Sequence, residues 1–265
     1  MPLKDPIDAC VWLILPTYNE AENIGPMVAA VTQRLSECAR RHVLLIVDDN
    51  SPDGTGDAAD LLAETYPTVR VLHRKSKDGL GRAYLAGFKV ALDNGADLVI
   101  EMDADFSHDP RDIGRLVRAA GQCDLAIGSR YVPGGGVRDW SLTRRVLSQA
   151  GCQYARRILG IDVNDLTGGF KCFRAETLRA IDLDKVISNG YGFQIELTYR
   201  AVRAGKRVTE VPIWFTERRA GTSKMSPRIA IEAAFRVPGL KRRVDAEFAA
   251  VGEADSRRGD GAAAA

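Results

Sequence analysis

The chain of 265 residues has few cysteines and histidines, and this scarcity excludes several kinds of site. Its five cysteines are scattered, odd in number and form no C-x-x-C pair. We therefore expect reduced thiols in the core of a cytosolic protein, without a disulfide framework. Neither thiols nor imidazoles stand at ligand spacing near the acidic residues described below, which leaves carboxylates as the candidate metal ligands.

Long apolar runs are also missing. No stretch approaches ~20 uninterrupted apolar residues, and the first residues lack a basic segment followed by an apolar signal core. We expect a soluble or peripheral protein. The formal net charge of +2 argues against a dedicated nucleic-acid binder, but basic residues cluster in the second half, where they indicate contact with phosphate or a membrane surface. These clusters are Arg144, Arg145, Arg156, Arg157, Arg218, Arg219, Lys224 and residues 241–243.

Two common phosphate-binding motifs are absent. The chain contains no G-x-x-x-x-G-K-[ST], which excludes a P-loop. The stretch Gly79–Tyr84 (GLGRAY) nearly matches a dinucleotide fingerprint, but Tyr84 replaces the third glycine and the stretch follows the third predicted strand. A dinucleotide-dependent dehydrogenase is therefore disfavoured. We interpret the glycines as a helix-entry turn and favour Lys77 as a phosphate contact.

Apolar runs alternate with helical patterns along the first half of the chain. This alternation predicts βαβ units and an α/β fold, with a mostly parallel central sheet flanked by helices. The predicted strands are Val11–Leu15, Val43–Val47, Val69–Leu72, 98–102, Leu125–Ile127 and Val208–Phe215. The predicted helices are 20–39, 58–64, 80–92, a helix after Pro110, 141–159 and 190–204. Pro133–Gly136 is predicted to be a flexible turn.

The C-terminal part is predicted to differ from the rest. Residues 227–250 alternate apolar and basic side chains and should form amphipathic helix, broken in two at Pro238 and Gly239. Residues 251–265 are polar, end in an alanine run and are expected to be disordered. We assign residues 1–226 to one globular domain.

The acidic stretch that ends the strand at 98–102 is the strongest candidate site. Asp103 and Asp105 stand one residue apart at the carboxyl end of this strand, where open α/β sheets bind ligands. Alternate residues of an extended segment point the same way, so both carboxylates are expected to face one point. Two such carboxylates suit a hard divalent cation that carries phosphates. The alternative is an acidic turn that caps the next helix.

Two other strand ends carry polar side chains. The segments 16–20, 48–51 and 103–105 are expected to emerge on one edge of the sheet and build a single cleft. Asp48 and Asp49 could accept hydrogen bonds from a nucleobase or a ribose, or could serve turn and helix-cap roles. Tyr18 could stack on a base or lie half-buried at its strand end.

Six motifs, taken in order, resemble inverting family-2 glycosyltransferases, with the strongest likeness to polyprenol (dolichol) phosphate mannose synthases. They are Leu15–Glu20 (LPTYNE), Val47–Thr55 (VDDNSPDGT), Gly79–Tyr84 (GLGRAY), Met102–His108 (MDADFSH), Gly128–Val132 (GSRYV) and Arg218–Lys224 (RRAGTSK). The likeness covers roughly residues 11–226.

The resemblance implies a GT-A fold, a GDP-mannose donor, a Mg²⁺ or Mn²⁺ ion and a polyprenyl phosphate acceptor. Metal ligation falls to Asp103 and Asp105, with Ser107 as a third candidate where some relatives carry Gln. Catalytic roles fall to Asp105, Arg130 and Arg218. Acceptor phosphate contacts fall to Arg130, Arg144 and Arg218. Donor binding falls to Pro16, Tyr18, Glu20, Asp48, Asp49, Lys77, Asp103, Ser223 and Lys224.

The resemblance also predicts a location and partners. Family members without transmembrane helices attach through lipid, interfacial helices or a membrane-embedded partner protein, so we expect a peripheral enzyme on the cytoplasmic face of the membrane. Three alternatives stay open: a UDP-glucose or UDP-hexosamine transferase, a non-catalytic nucleotide-sugar-binding module, and a metal-dependent phosphohydrolase. The single D-x-D and the lack of histidine ligands count against the hydrolase.

Overall fold

A central seven-stranded sheet organises the computed structural model, which describes residues 6–217 and 236–250. The strands are β1 (Cys10–Thr17), β2 (Arg41–Asp48), β3 (Val69–His73), β4 (Leu98–Glu101), β5 (Leu125–Ser129), β6 (Gly136–Val137), β7 (Lys171–Arg174), β8 (Val208–Pro212) and β9 (Trp214–Phe215). The order across the large sheet is β3-β2-β1-β4-β7-β5-β8, and β6 pairs with β9 in a second, two-stranded sheet.

Most neighbouring strands are parallel, as the alternating pattern predicted. β1 runs parallel to β2 and β4, β2 to β3, and β5 to β8, whereas β7 is antiparallel to both β4 and β5. The central strands are nearly continuous apolar runs because helices cover both faces of the sheet, so residues on either face are buried. The prediction of a mostly parallel α/β fold is confirmed.

Seven helices within residues 6–217 flank the sheet, with short 3-10 turns between some elements. They are α1 (Ala21–Cys38), α2 (Thr55–Thr65), α3 (Leu80–Asp93), α4 (Ile113–Ala120), α5 (Leu142–Leu159), α6 (Ala175–Ala180) and α7 (Tyr191–Arg203). Alternate residues of β1 enter the two cores on either side of the sheet. Trp12 and Ile14 pack in the core that contains residues of α3 and α7, and Leu13 packs in the core that contains residues of α1 and α4.

The segment predicted as one strand at 208–215 is split between the two sheets. β8 pairs with β5, and after Ile213 the chain continues as β9 beside β6. Ile213 joins them, since its N–H donates to Ser129 O at 3.0 Å and its carbonyl accepts from Gly136 N at 2.9 Å. Gly136 was predicted to lie in a turn but forms β6, where any Cβ would come within 2.6 Å of the Trp214 ring.

The described helix at 236–250 includes Pro238 and Gly239, while residues 227–235 lie outside the described residues, so the predicted division into two helices stays a prediction. The side chains of Val237, Leu240 and Val244 are buried in the core that α7 shares. This packing outweighs the weak helix propensity of the Pro-Gly pair, because tertiary contacts routinely override local preference. The boundary proposed at residue 226 and the tail at 251–265 lie outside the described residues and stay predictions.

Candidate active site

Three of the predicted polar segments follow adjacent parallel strands. β2, β1 and β4 are neighbours in the sheet, and Thr17 at the end of β1 pairs with Asp48 at the end of β2. The Thr17 hydroxyl donates to Asp48 Oδ1 at 3.2 Å, and the Asn19 N–H donates to Ser51 Oγ at 3.1 Å. The predicted meeting of strand ends at one edge is therefore present, and it joins the first two loops directly.

The loop after β2 is closed by its own acidic side chains. Asp48 is buried and accepts hydrogen bonds from the Ser51 hydroxyl at 2.6 Å and the Ser51 N–H at 3.1 Å. Asp49 pairs with Arg74, although burial still raises the pKa of Asp49. Asp48 thus has the turn role that the sequence left open, and its role in binding a base stays a prediction.

Tyr18 and Lys77 come together from two different loops. The Lys77 ammonium lies 3.4 Å from the centre of the Tyr18 ring, a cation–π contact that connects the loop after β3 to the end of β1. Glu20 precedes α1 and accepts a hydrogen bond from the Asn23 side-chain amide at 2.8 Å. Pro16 is buried near the end of β1. Residues predicted to bind a donor thus line the same edge.

The two carboxylates of the D-x-D stretch lie in a bend beyond β4. β4 ends at Glu101, and Phe106 has a φ of +60°, a left-handed conformation that is unusual for a bulky residue. The expectation of an extended segment through Asp105 is wrong, because a bend begins at Ala104, between the two aspartates, and continues through Phe106. Asp105 is buried and accepts from the Ser107 N–H at 3.0 Å, whereas the side chain of Asp103 is 27% exposed.

The residues around this bend suit a hard cation. Ser107 Oγ is buried and has no hydrogen-bond partner within residues 6–217 and 236–250. It follows Asp103 and Asp105, so an unsatisfied hydroxyl stands with two carboxylates, and all three offer oxygen, the ligand that Mg²⁺ and Mn²⁺ prefer. The described part of the chain contains no group of three His, Cys, Asp or Glu placed to hold a metal by themselves. The site therefore fits a cation that takes further ligands from substrate phosphates.

His108 contributes packing at this edge. The ring is buried, with centroid distances of 5.1 Å to Phe170 and 5.3 Å to Phe215. Burial lowers the pKa of His108 to about 4, so the imidazole is neutral near pH 7. The Phe215 end of β9 is further tied to the bend by the Thr216 N–H, which donates to Ser107 O at 3.1 Å.

A buried charge pair lies directly beneath the bend. The Lys171 ammonium is 3.4 Å from Glu101 Oε1 and donates to Gln194 O at 3.1 Å, and neither charged side chain is exposed. Burial raises the pKa of Glu101 to about 7 in spite of Lys171, and burial lowers the pKa of Lys171. Sequence reasoning missed this pair, because Glu101 was taken as part of an apolar strand and its partner comes from a distant one.

Arg130 lies at the end of β5, as predicted, but it is engaged by Asp165. Its Nε and Nη2 donate to the two carboxylate oxygens at 2.7 and 2.6 Å, and Nη2 also donates to Thr167 Oγ1 at 2.8 Å. Burial alone would raise the pKa of Asp165, but the attraction of Arg130 outweighs it and the pKa lies below its ordinary value. Arg130 thus anchors the loop that precedes β7, and its contact with an acceptor phosphate stays a prediction.

Arg144 is connected to the D-x-D bend through aromatic rings. Its guanidinium lies 4.0 Å from the centre of the Trp140 ring and donates to Glu217 Oε1 at 2.6 Å. Trp140 meets Phe215 edge-on at 5.5 Å, and Phe215 contacts His108. A cavity of about 300 Å³ adjoins Arg130 on the side of α5. Arg218, Ser223 and Lys224, which complete the predicted set, lie outside the described residues.

A comparison with known protein families identifies the family of the chain. The model of the family described as "Glycosyl transferase family 2" matches residues 12–182, which include every site segment described above up to Lys171. The chain belongs to glycosyl transferase family 2.

Two curated relatives are identical to this family-2 glycosyltransferase at about half of the aligned positions. It is 51% identical over 227 residues to the undecaprenyl-phosphate mannosyltransferase of Micrococcus luteus, covering 86% of this chain and 92% of the relative. It is also 51% identical over 237 residues to the polyprenol monophosphomannose synthase of Mycolicibacterium smegmatis, covering 88% of each.

Solved structures agree with the fold. The mannosyl-3-phosphoglycerate synthase of Rubrobacter xylanophilus superposes with a TM-score of 0.62 at 19% identity, over 90% of this chain and 75% of that one. The glucosyl-3-phosphoglycerate synthase of Mycobacterium tuberculosis, solved with Mn²⁺, UDP and glucosyl-3-phosphoglycerate, gives 0.61 at 18% identity, over 89% and 80%. The glycosyltransferase has the predicted GT-A fold, and none of its described helices is long and apolar enough to cross a membrane.

Sequence reasoning missed one more residue of the glycosyltransferase site. The Tyr84 hydroxyl donates to Asp103 Oδ1 at 3.1 Å. Burial foremost, and then the charges of Asp103 and Glu101, raise the pKa of Tyr84 well above its ordinary value. The available signal was the Gly79–Tyr84 stretch itself, which was interpreted as a helix-entry turn and as one of the six family motifs, without a role for Tyr84.

Proposed function

We propose that the chain is an inverting glycosyltransferase that moves mannose from GDP-mannose to a polyprenyl (dolichyl) phosphate, with polyprenyl phosphate mannose and GDP as products. The observation that carries this proposal is the 51% identity, over nearly the full length of both chains, to relatives named for mannosyl transfer to such lipids. The site at the edge of the sheet supports the proposal, because Asp103 and Asp105 offer carboxylate oxygens after β4, and Arg130 and Arg144 lie after β5 and on α5.

The donor is expected to lie along the ends of β1, β2 and β4. Tyr18, Glu20 and Asp49 surround the positions proposed for the base and ribose, with Pro16 and Asp48 shaping the loops behind them. Lys77, exposed beside Tyr18, is suited to a donor phosphate.

Asp103, Asp105 and Ser107 would hold a divalent cation, Mg²⁺ or Mn²⁺. When bound there, such a cation neutralises the charge that develops on the diphosphate as the sugar–phosphate bond breaks. Asp103 opens to solvent and so can reach a ligand, while Asp105 is held from behind by the Ser107 backbone.

The acceptor needs little proton transfer. A phosphate monoester has a second pKa near ~6, so its oxygen is already ionised near pH 7 and can attack the anomeric carbon without a strong general base. The neutral, buried His108 agrees with this, since it is not placed as a base. The required contribution of the protein is electrostatic: arginines that hold two anionic groups together.

Arginines on the α5 side are proposed to receive the acceptor phosphate. Arg144 lies on α5 beside Trp140, and Arg130 borders the cavity of about 300 Å³. A planar guanidinium suits phosphate because it can donate two parallel hydrogen bonds. Arg144 is proposed to bind in this way, whereas Arg130 already donates its parallel pair to Asp165 and would contribute mainly its charge. Glu217, which contacts Arg144, directly precedes Arg218 in the sequence. We propose that Arg218 binds the acceptor phosphate and that Ser223 and Lys224 bind the donor diphosphate.

The lipid acceptor places the enzyme at a membrane surface. We propose peripheral attachment on the cytoplasmic face, with α5 as one contact, because Leu142 and Val146 are 75% and 57% exposed on a helix that also carries four arginines. Apolar side chains of such a helix enter the acyl boundary while arginines meet anionic headgroups. A membrane-embedded partner protein would provide further attachment.

The proposal is tested by following sugar into lipid. Purified protein is incubated with Mn²⁺ or Mg²⁺, a polyprenyl phosphate and radiolabelled GDP-mannose, in parallel with labelled UDP-glucose. We expect an organic-soluble mannolipid from the wild type and none, or less than about 1% of the rate, from Asp105→Asn, which keeps the side-chain shape but removes the charge.

Asp184→Asn is the matched control. Asp184 is an exposed aspartate paired with Lys89, outside the strand ends of the site. This variant should retain the wild-type rate. Glucolipid in place of mannolipid would contradict the assignment of GDP-mannose as the donor. The absence of a lipid product with either donor would contradict the assignment of polyprenyl phosphate as the acceptor. Full activity of Asp105→Asn would overturn the metal site.

A further inference from the structure

The glycine pair at the start of α3 brings an aromatic ring close to the helix. Gly79 stands before the helix with a φ of +94°, a conformation that favours glycine, and its carbonyl accepts from the Arg82 N–H at 3.0 Å. A Cβ on Gly81 would lie 2.9 Å from ring atoms of Phe193. Since real Cβ contacts are not that short, glycine at 81 is what allows the ring to lie against the helix.

The Phe193 ring in turn fixes Tyr84, which is one helical turn beyond Gly81. The two rings are nearly parallel, with an interplanar angle of 5° and centroids 6.1 Å apart. Phe88 packs on the tyrosine as well, with centroids 5.9 Å apart, and Tyr84 has no exposed surface. A ring packed between two others has one orientation, so the direction of its hydroxyl is determined.

The Tyr84 hydroxyl contacts the partly exposed carboxylate of Asp103. It donates to Asp103 Oδ1 at 3.1 Å, while Asp103 Oδ2 lies 3.9 Å from His108 Nδ1. Gly169 lies next to the carboxylate, since a Cβ at this position would be in van der Waals contact with Oδ2 at 3.7 Å. A hydrogen bond from a rigid donor therefore sets how the Asp103 carboxylate faces the solvent.

We propose that Tyr84 is a positioning residue for metal binding: its hydroxyl holds the Asp103 carboxylate in the orientation that receives the divalent cation, and the Gly-x-Gly-x-x-Tyr stretch serves to fix that hydroxyl. The inference rests on the proposed function, which makes Asp103 a metal ligand. Loss of a partner that orients a ligating side chain typically weakens metal affinity by about 10–100-fold.

The test compares two tyrosines that both donate to an aspartate. Tyr84→Phe removes the hydroxyl at the site. Tyr199→Phe removes one from an equally buried tyrosine, whose hydroxyl lies 2.5 Å from Asp245 Oδ1 on the helix at 236–250. Mn²⁺ binding is measured by calorimetry or by the Mn²⁺ electron paramagnetic resonance signal, with GDP present at a fixed concentration.

We expect Tyr84→Phe to raise the dissociation constant for Mn²⁺ by about tenfold or more, and Tyr199→Phe to leave it unchanged. In the lipid assay, Tyr84→Phe should need more Mn²⁺ for half-maximal rate and should recover most of the wild-type rate at saturating Mn²⁺. A general loss of folding would not produce this split between metal affinity and maximal rate.

A second variant keeps the test independent of the first. Phe193→Leu retains the Tyr84 hydroxyl but removes the aromatic ring that stacks on Tyr84. It should also raise the dissociation constant for Mn²⁺, by a smaller factor than Tyr84→Phe does. Equal Mn²⁺ affinity of wild type, Tyr84→Phe and Phe193→Leu would overturn the inference while leaving the proposed function intact. If the wild type itself bound no Mn²⁺ with GDP, the metal site of the proposed function would fall instead.

Discussion

Among single residues, the most unusual feature is the amount of charge buried close to the site. Glu101, Lys171 and Asp165 have no exposed surface, and Arg130 is only 7% exposed. Transfer of such groups from water is costly, and only a well-placed partner compensates for it. Arg130 compensates for the burial of Asp165 by holding it through two nitrogens. Lys171 compensates for the burial of Glu101 only in part, since the pKa of Glu101 is still raised to about 7.

Asp165→Asn should therefore destabilise the protein strongly. It leaves the Arg130 guanidinium buried without a counter-charge, for which we expect a loss of about 3–5 kcal/mol in the free energy of unfolding. The folded-state pKa of Asp165 lies below the ordinary 3.8, so its contribution is complete above about pH 4 and is lost as the pH falls through the folded value. Urea unfolding at pH 7 and at pH 3 measures both effects.

The control for this prediction is Asp162→Asn, an exposed carboxylate that pairs with Arg156. It should change stability by no more than about 1 kcal/mol. A difference between wild type and Asp165→Asn that grew as the pH fell would contradict the assigned pKa direction. Equal stability at pH 7 would contradict the buried ion pair.

Among the elements, the helix at 236–250 is attached to α7 by both charge and packing. Arg243 reaches Glu196 at 3.0 Å, and Arg200 pairs with both Glu196 and Glu247 at 2.8 Å. Leu240 and Val244 enter the same core as α7. These contacts make the segment an integral part of the folded domain.

Leu240→Ala should accordingly lower the free energy of unfolding by about 2 kcal/mol or more, because a buried leucine is replaced by a cavity. Arg242→Ala, on the exposed side of the same helix, should stay within about 0.5 kcal/mol of wild type. Denaturant unfolding measures both. Equal midpoints for the two variants would show that the helix is not packed as described.

The helix α5 presents a different surface. Leu142 and Val146 are one turn apart and both largely exposed, and Arg145 and Arg157 are on the same helix. This combination suits a lipid interface, in line with the membrane-surface contact that the basic clusters of the sequence indicated. The exposure of Leu142 and Val146 shows that these two side chains do not pack against the domain.

The double variant Leu142→Ser, Val146→Ser should bind anionic liposomes that contain polyprenyl phosphate about tenfold more weakly than wild type. Two apolar side chains that enter the acyl boundary easily account for the ~1.4 kcal/mol that tenfold requires. Flotation measures binding. Leu61→Ser, on α2, removes an equally exposed leucine (64%) and should bind as wild type does. If all three proteins floated alike, α5 would not be the contact.

For the whole molecule, the sheet places the proposed donor and acceptor surfaces side by side. β2, β1 and β4 end at the proposed donor site, whereas β5 and the start of α5 carry the arginines. Phe215 and Thr216 join the two halves through His108 and Ser107. Donor binding should therefore raise the melting temperature of the whole domain, and the nucleotide sugar that binds more tightly should raise it more.

We expect GDP-mannose with Mn²⁺ to raise the melting temperature and UDP-glucose with Mn²⁺ to raise it much less. A ligand at 100 times its dissociation constant adds about 2.7 kcal/mol, which corresponds to about 5–10 °C for a domain of this size. Thermal unfolding at equal nucleotide concentrations measures this, with each nucleotide also tested without metal. A larger shift with UDP-glucose would favour the alternative donor.

The sequence alone was enough to identify the strand–helix alternation and the edge where the site lies. Continuous apolar runs identify strands of a parallel sheet because both of its faces are covered. The carboxyl ends of such strands share an edge, so Asp48, Asp103 and Tyr18 could be placed together before any contact was known. Six motifs in order then indicated the family.

Only the tertiary structure decided which side chains meet. Asp165 is 35 residues from Arg130, and Lys171 is 70 residues from Glu101, so no local pattern pairs them. The split at Ile213 and the helix that includes Pro238 also depend on partners elsewhere in the chain. Periodicity reports which face of an element is buried, whereas the partner of a buried charge or hydroxyl is set by how distant elements pack.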